Sequence, residues 1–383
     1  MKILILVPGL PLDTTKIKGG VHSATINLLN GFLQEKATVR LLAFTNEVKE
    51  LTIKSLSETV DIYFIPEGKM PYHALNYLFY CSRQVEKYVR EFQPDIIHFE
   101  LGGAFLLSSL CRIDRRKMVL TVHGIALGEA KISTTLGRKW MSLYNGYLER
   151  ILLPRHVVHL SQYSHQLFNS WWGGKAEYAI IPNAIKMDYF EVPALQGVKN
   201  TILYLGILYD RKNILLLLQA MARLKKNNIL FRLEVVGGYL NEEYRQTVEK
   251  FIQHNGLEKD IHFNGWLSQP EVIRKLEEID ILAIPSRQET LPMAIAEAMA
   301  AGRVVVGTDV GGIPEMIDHG RDGFVFPESS EDDLYKILAQ LHDNQDLILK
   351  VGAAAREKAR VTYLASGVAR KTLEFYQKIR QSG

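Results

Sequence analysis

The feature that most constrains this chain is an alternation that runs along it twice. Apolar runs of strand length at 3–7, 39–44, 61–65, 95–99, 118–122 and 157–160 are separated by longer segments. Of these, 21–34 and 72–92 carry a helical pattern. Continuous short apolar runs read as strands buried on both faces, and strands separated by helices run parallel. The first half therefore reads as a doubly wound α/β sheet, whose ligands bind beyond the carboxyl ends of its strands. The pattern restarts with strands at 202–206, 233–236, 280–284, 304–307 and 323–326, and with an apolar helix at 213–224. From Glu331 onward the chain reads as helical.

A length of 383 residues fits two domains better than one. The break is expected near 195, with residues 191–200, which include Pro193 and Gly197, as linker. A hydrophobic content of 47% with 23% charged residues describes a soluble globular protein. The net charge of +4 is too small to demand nucleic acid, and none is expected as a partner. Cys81 and Cys111 have no metal-ligand spacing and make no disulfide framework, which suits a reducing compartment and a cytoplasmic location. The apolar opening, 1–7, is too short for a secretory leader and runs into a Pro-Gly turn, so it reads as the first strand. No apolar run reaches membrane-spanning length.

The densest chemistry lies at Ser286–Gly302. The strand at 280–284 feeds a short loop and then a helix with Pro292 near its first turn, and a proline at a first helical position costs no intrahelical bond. Glu289 falls in the loop and Glu297 about two turns into the helix, so both carboxylates can face one cavity. The amides of Thr290, Leu291 and Met293 together with the helix dipole favour a bound phosphate there. Amides for phosphate and carboxylates for hydroxyls suit a nucleotide sugar. Taken alone, either glutamate reads as a helix cap or a surface charge.

Other candidates stand at strand ends. Gly19-Gly20 closes the long loop after the first strand and lets backbone approach a ligand closely. Taken alone it describes a mobile loop with a helix cap. His123 follows the strand at 118–122, and His22 reads as a lining residue. Arg211 and Lys212 sit at a helix start, where the dipole disfavours cations unless an anion lies between. Gly237-Gly238 is a second close-approach turn. The helix expected at 131–155 carries an apolar stripe with Arg138, Lys139, Arg150 and Arg155. An ordinary core-facing helix explains it, and a membrane-surface or acceptor lip is the sharper alternative. No Asp-x-Asp pair or His/Cys cluster calls for a metal or other cofactor.

In this order the motifs resemble the retaining glycosyltransferases of family four. The resemblance is carried by Glu289-x7-Glu297 with Pro292, by Glu297-Ala-Met-Ala-Ala-Gly302, and by Gly311-Gly-Ile-Pro-Glu315. It implies a GT-B fold: two Rossmann-like domains, here 1–195 and 196–365, with the active site between them, and a closing helix at 366–383 that crosses back. It implies that Gly19 and Gly20 lie near the donor phosphates and that His123 meets the donor sugar. Lys212 aligns with the family's diphosphate-binding lysine. Ile207 stands where the family has arginine and Asn213 where it has glycine, and Arg211 is the substitute cation. Ile181-Pro-Asn-Ala184 resembles Ile-Pro-Asn-Gly, and Ser161–Ser164 a serine-rich helix start. Residues 261–267 resemble the strand ending that frames the base, with Trp266 and Leu267 contacting it and Gly237 nearby.

The implied reaction moves a sugar from a UDP- or GDP-sugar to a glycan, lipid-linked or small hydroxyl acceptor. Such chemistry belongs to cell-surface polysaccharide or glycoconjugate synthesis. Glu289 lies near the anomeric carbon, Glu297 accepts from ribose, and Lys212 neutralises the leaving diphosphate without a metal. The alternatives are a nucleotide-sugar 2-epimerase, or a non-catalytic relative that binds a nucleotide or a protein partner.

Overall fold

A computed structural model of the chain describes residues 1–14, 17, 19–67, 80–100, 111–124, 155–173 and 176–382. The expected helix at 131–155 lies outside them except for Arg155, and that at 72–92 is described from residue 80 onward. The chain forms two compact units, Met1–Ala184 with Ala365–Gly383, and Ile185–Leu364.

The first unit holds β1 (Lys2–Leu6), β2 (Thr38–Thr45), β3 (Thr52–Ser55), β4 (Val60–Pro66), β5 (Ile96–Phe99), β6 (Met118–Val122), β7 (His156–His159) and β8 (Glu177–Ile180). Their order is β3-β4-β2-β1-β5-β6-β7-β8. Every pair is parallel except β3 with β4. β5, β6 and β7 are buried along their whole lengths, which is why they read as unbroken apolar runs. β1 adds strands on one side through β2 and on the other through β5, so the crevice of this sheet opens at the carboxyl ends of β1 and β5. The closing helix Ala365–Ser382 packs on the helix Gly20–Phe32. A Cβ on Gly31 would lie 2.2 Å from the Ala365 carbonyl oxygen, so only glycine permits that approach.

The second unit holds β9 (Thr201–Leu205), β10 (Arg232–Val236), β11 (Ile261–Gly265), β12 (Ile281–Ile284), β13 (Val304–Thr308) and β14 (Phe324–Phe326). The order β11-β10-β9-β12-β13-β14 is wholly parallel. Counted within the unit it is the 3-2-1-4-5-6 order of a dinucleotide-binding sheet, with its switch point between β9 and β12.

The boundary expected at 195 falls at 184, and the closing helix starts at Ala365 rather than 366. Tyr189, Phe190 and Val192 are buried in the second unit's core. Residues 191–200 are not a free linker either. Arg303 donates from Nη2 to the Pro193 carbonyl at 2.9 Å, and Arg356 from Nη2 to that of Val192 at 2.5 Å. Four residues of helix, Met187–Phe190, are too few for a periodicity to show in sequence.

Candidate active site

At the switch point of the second unit, two loops leave adjacent strands. After β9, Gly206 and Tyr209 lead to a single 3-10 turn, Asp210–Lys212. Asn213, at φ 50°, turns the chain into the helix Ile214–Lys226. After β12, residues 285–292 lead to the helix Met293–Ala300. The Arg287 amide donates to the Arg211 carbonyl at 2.8 Å and stitches the two loops together.

This stitching brings Lys212 to Glu289. The lysine ammonium donates to Glu289 Oε1, and Ser286 Oγ donates to the same oxygen at 2.8 Å. Ser286 is fixed in turn, because Thr308 Oγ1 donates to its carbonyl at 2.6 Å. Glu289 is buried although it lies in a loop. Its backbone is pressed by Gly311, at φ 60°, where a Cβ would stand 1.7 Å from the Glu289 carbonyl oxygen. The amides of Thr290 and Leu291 donate to no group among the described residues. Arg211 is braced locally, with Nε on the Tyr209 hydroxyl at 2.6 Å. Leu291 and Met293 pack on the core of the unit.

One expectation about the helix needs correction. Pro292 is its N-cap, at the edge of the first turn, and Glu297, four residues after Met293, lies about one turn in, not two. The proline's extended ψ of 120° holds it outside the helix. Glu297 is 8% exposed, and burial pushes its pKa from 4.5 to about 7, while a hydrogen bond with Tyr189 works the other way. Tyr189 also touches Gln269, and Lys186 Nζ donates to Gln269 Oε1 at 2.9 Å. Nothing in the sequence marked Tyr189, because its partner is more than a hundred residues away.

The glycine pair after β10 has a packing reason. Gly237, at φ 136°, would set a Cβ 2.0 Å from the Gly206 carbonyl oxygen. A Cβ on Gly238 would lie 2.5 Å from Trp266 Nε1. Trp266 is 47% exposed and therefore not a core residue, whereas Leu267 packs on the core.

The remaining candidates belong to the first unit. Gly19 is the N-cap and Gly20 the first residue of the helix after β1. His22 is tied to the Pro8 carbonyl at 2.9 Å, a structural bond. Ser161 makes a reciprocal capping box with Ser164, the simple role its motif suggests. His123 follows β6, and its Nε2 lies 2.8 Å from Oε2 of Glu100, the residue just after β5. Glu100 went unnoticed in the sequence, although an acid directly past a buried strand was a usable signal. Among the described residues, no group of three His, Cys, Asp or Glu could hold a metal, and no helix is long and apolar enough to cross a membrane.

Two Rossmann-like units, one on a mostly parallel and one on a wholly parallel sheet, give the chain the α/β architecture of a GT-B glycosyltransferase. The chain belongs to the family-four, group 1 glycosyltransferases. Residues 18–189 match the model "Glycosyltransferase Family 4", and residues 186–358 match "Glycosyl transferases group 1". It is 29% identical over 304 residues to the amylovoran biosynthesis glycosyltransferase AmsK of Erwinia amylovora, covering 76% of this chain and 72% of that one. It is 27% identical over 236 residues to a GDP-mannose-dependent phosphatidylinositol monomannoside mannosyltransferase of Mycobacterium tuberculosis, covering 57% of this chain and 60% of the relative. Sucrose-phosphate synthase from Thermosynechococcus elongatus shares the fold with a TM-score of 0.83 at 16% identity over all of both chains. HepE of Anabaena, solved with UDP and glucose, matches with a TM-score of 0.76 at 19% identity over 98% of this chain and 99% of that one.

Proposed function

We propose that this glycosyltransferase moves a sugar, with retention, from a UDP- or GDP-sugar to a hydroxyl of a glycan or lipid-linked acceptor in polysaccharide or glycolipid synthesis. The observation that carries the reading is the Lys212–Glu289–Ser286 cluster at the switch point, beside the open amides of Thr290 and Leu291. Without a ligand, the lysine and the carboxylate neutralise each other. A diphosphate brings its own negative charge to Lys212 and to the amides, and frees Glu289 to accept from sugar hydroxyls. As the glycosidic C–O bond breaks, negative charge grows on the departing phosphate oxygen, where fixed cations and amides lower the barrier most. The acceptor oxygen bonds to the anomeric carbon, and its proton passes to that phosphate oxygen. Glu297 accepts from the ribose hydroxyls. Lys212 and Arg211 do the work that a metal ion does elsewhere, so turnover is expected to survive a chelator. The relatives' names, a polysaccharide enzyme and a GDP-mannose-dependent enzyme, support the donor and acceptor classes.

Thermal unfolding with UDP, GDP, ADP and NAD tests this. A ligand at about a hundred times its Kd adds roughly 2.7 kcal/mol of stability. A shift with UDP or GDP alone, lost in Lys212→Ala and Glu297→Ala, is the expected result. The absence of any shift with UDP or GDP overturns the reading.

A further inference from the structure

The first unit buries a carboxylate that the reaction as described does not use. Glu100 stands directly after β5, at the switch point of its sheet, and its side chain is 3% exposed. A buried carboxylate is costly unless its oxygens are well supplied with donors. Around Glu100 the supply is complete and has a direction. His123 Nε2 lies 2.8 Å from Oε2. The Thr121 hydroxyl also bonds to the carboxylate. Thr121 Oγ1 lies 2.6 Å from His98 Nε2, and His98 Nδ1 meets the Tyr376 hydroxyl from the closing helix.

With a neutral His98, one set of proton positions satisfies every link. Glu100 accepts, so Thr121 donates to it and must accept from His98 Nε2–H. His98 Nδ1 then accepts from Tyr376 O–H. Burial lowers the pKa of His98, which favours that neutral ring. Burial works to raise the pKa of Glu100, but hydrogen bonds from His123 and Thr121 work the other way and hold the group below its ordinary value. Glu100 thus stays a carboxylate, and it takes its remaining proton donor from His123 Nε2–H.

We infer that Glu100 is a positioning residue for His123, fixing the Nε2–H tautomer and leaving Nδ1 as the ring's acceptor for a substrate hydroxyl in the crevice of the first sheet. The inference rests on the proposed sugar transfer and on His123 taking part in it. Its physical basis is the usual one for an oriented imidazole: the partner on one nitrogen decides what the other can do. The buried chain back to Tyr376 keeps the carboxylate from rotating away.

Two measurements test it. The first uses the unmodified protein. ¹⁵N-histidine NMR at pH 8 should show His123 in the Nε2–H form, and a dominant Nδ1–H form overturns the inference even if no variant folds. The second compares Glu100→Gln, which keeps the reach and loses the charge, with Glu100→Asp, which keeps the charge and withdraws it. Turnover is read as UDP or GDP release from UDP-glucose and GDP-mannose. Both variants should lose the tautomer preference and about 10²-fold in kcat, the scale of a small misplacement of a reacting group. The UDP or GDP thermal shift should stay unchanged, since that nucleotide is assigned to second-unit residues. If His123→Ala abolishes turnover while both Glu100 variants keep it, the inference fails and the role of His123 stands. If His123→Ala turns over normally, both fail.

Discussion

Replacing Glu297 with glutamine should make the protein more stable at alkaline pH and leave it unable to hold its nucleotide. Burial sets the pKa of Glu297 at about 7 against an ordinary 4.5. The folded protein therefore binds a proton that the unfolded chain has released over that window. Stability follows the difference in bound protons, so the contribution of Glu297 is complete below about pH 4.5 and falls as pH rises through about 7. One pKa step is worth about 1.4 kcal/mol, so the cost of the ionised group reaches about 3 kcal/mol at pH 8 and above. Glutamine matches the shape of the protonated acid and can still accept from Tyr189, but it cannot ionise. The two proteins should be equally stable near pH 4.5, with the variant gaining up to about 3 kcal/mol by pH 8.5. For a domain of this size that is roughly 6–12 °C in melting temperature. Urea denaturation of both proteins from pH 4.5 to 8.5 measures the difference directly. If it does not change with pH, Glu297 ionises like an ordinary surface acid and the reasoning fails. Above about pH 7 the UDP or GDP shift should be lost in the variant, because the proposed ribose contact needs the carboxylate. A stabilised but inactive variant is the expected mark of a strained functional group.

Three further substitutions probe the supports of the site. Gly311→Ala should abolish turnover, because its Cβ would stand 1.7 Å from the Glu289 carbonyl oxygen and must displace that loop, whereas Gly320→Ala, at φ 77° with open space around it, should cost only about 1–2 kcal/mol and leave kinetics intact. Tyr189→Phe removes the contact that lowers the pKa of Glu297, so the stability difference from Glu297→Gln should extend to higher pH in that background, read from the same urea titrations. Arg303→Met takes the donors from the Leu276 and Pro193 carbonyls and should destabilise by about 3 kcal/mol in equilibrium denaturation, with the UDP or GDP shift retained.

Most strands were legible because they are buried on both faces and need no partner information to be seen, while β11, half-exposed or exposed throughout, was placed by its resemblance to the family's strand ending. β3 and β8 were not. The residues of β3 are half-exposed or exposed, and so are those of β8, so neither makes an apolar run. Lys212 and Glu289 were found by type and position, but their direct contact was not, since it depends on the Arg287–Arg211 stitch between two loops. The protonation of Glu297 was out of reach for the same reason. Its cause is burial beside Tyr189, and the sequence shows Tyr189 only as one aromatic residue near an expected linker. Glu100 failed differently: its position after a strand was visible, but a lone acid there has no weight until His123, Thr121 and His98 are seen around it.

Both units arrange their chemistry by one topological rule. Where a parallel sheet reverses its order of strand addition, two adjacent loops diverge and leave a crevice that backbone does not fill. In the second unit the crevice between β9 and β12 places Lys212 on one loop and Glu289 on the other. In the first, the loops after β1 and β5 begin at Val7 and Glu100. The two sites differ in how charge is managed. Glu289 is neutralised by a cation from the facing loop, a pairing that on the proposed mechanism an incoming diphosphate exchanges. Glu100 is held by His123 and Thr121 from its own unit, a pairing that the proposed mechanism leaves in place. The exchangeable pair suits a group that must change partners in each turnover, and the fixed one suits a group whose work is to keep another in place.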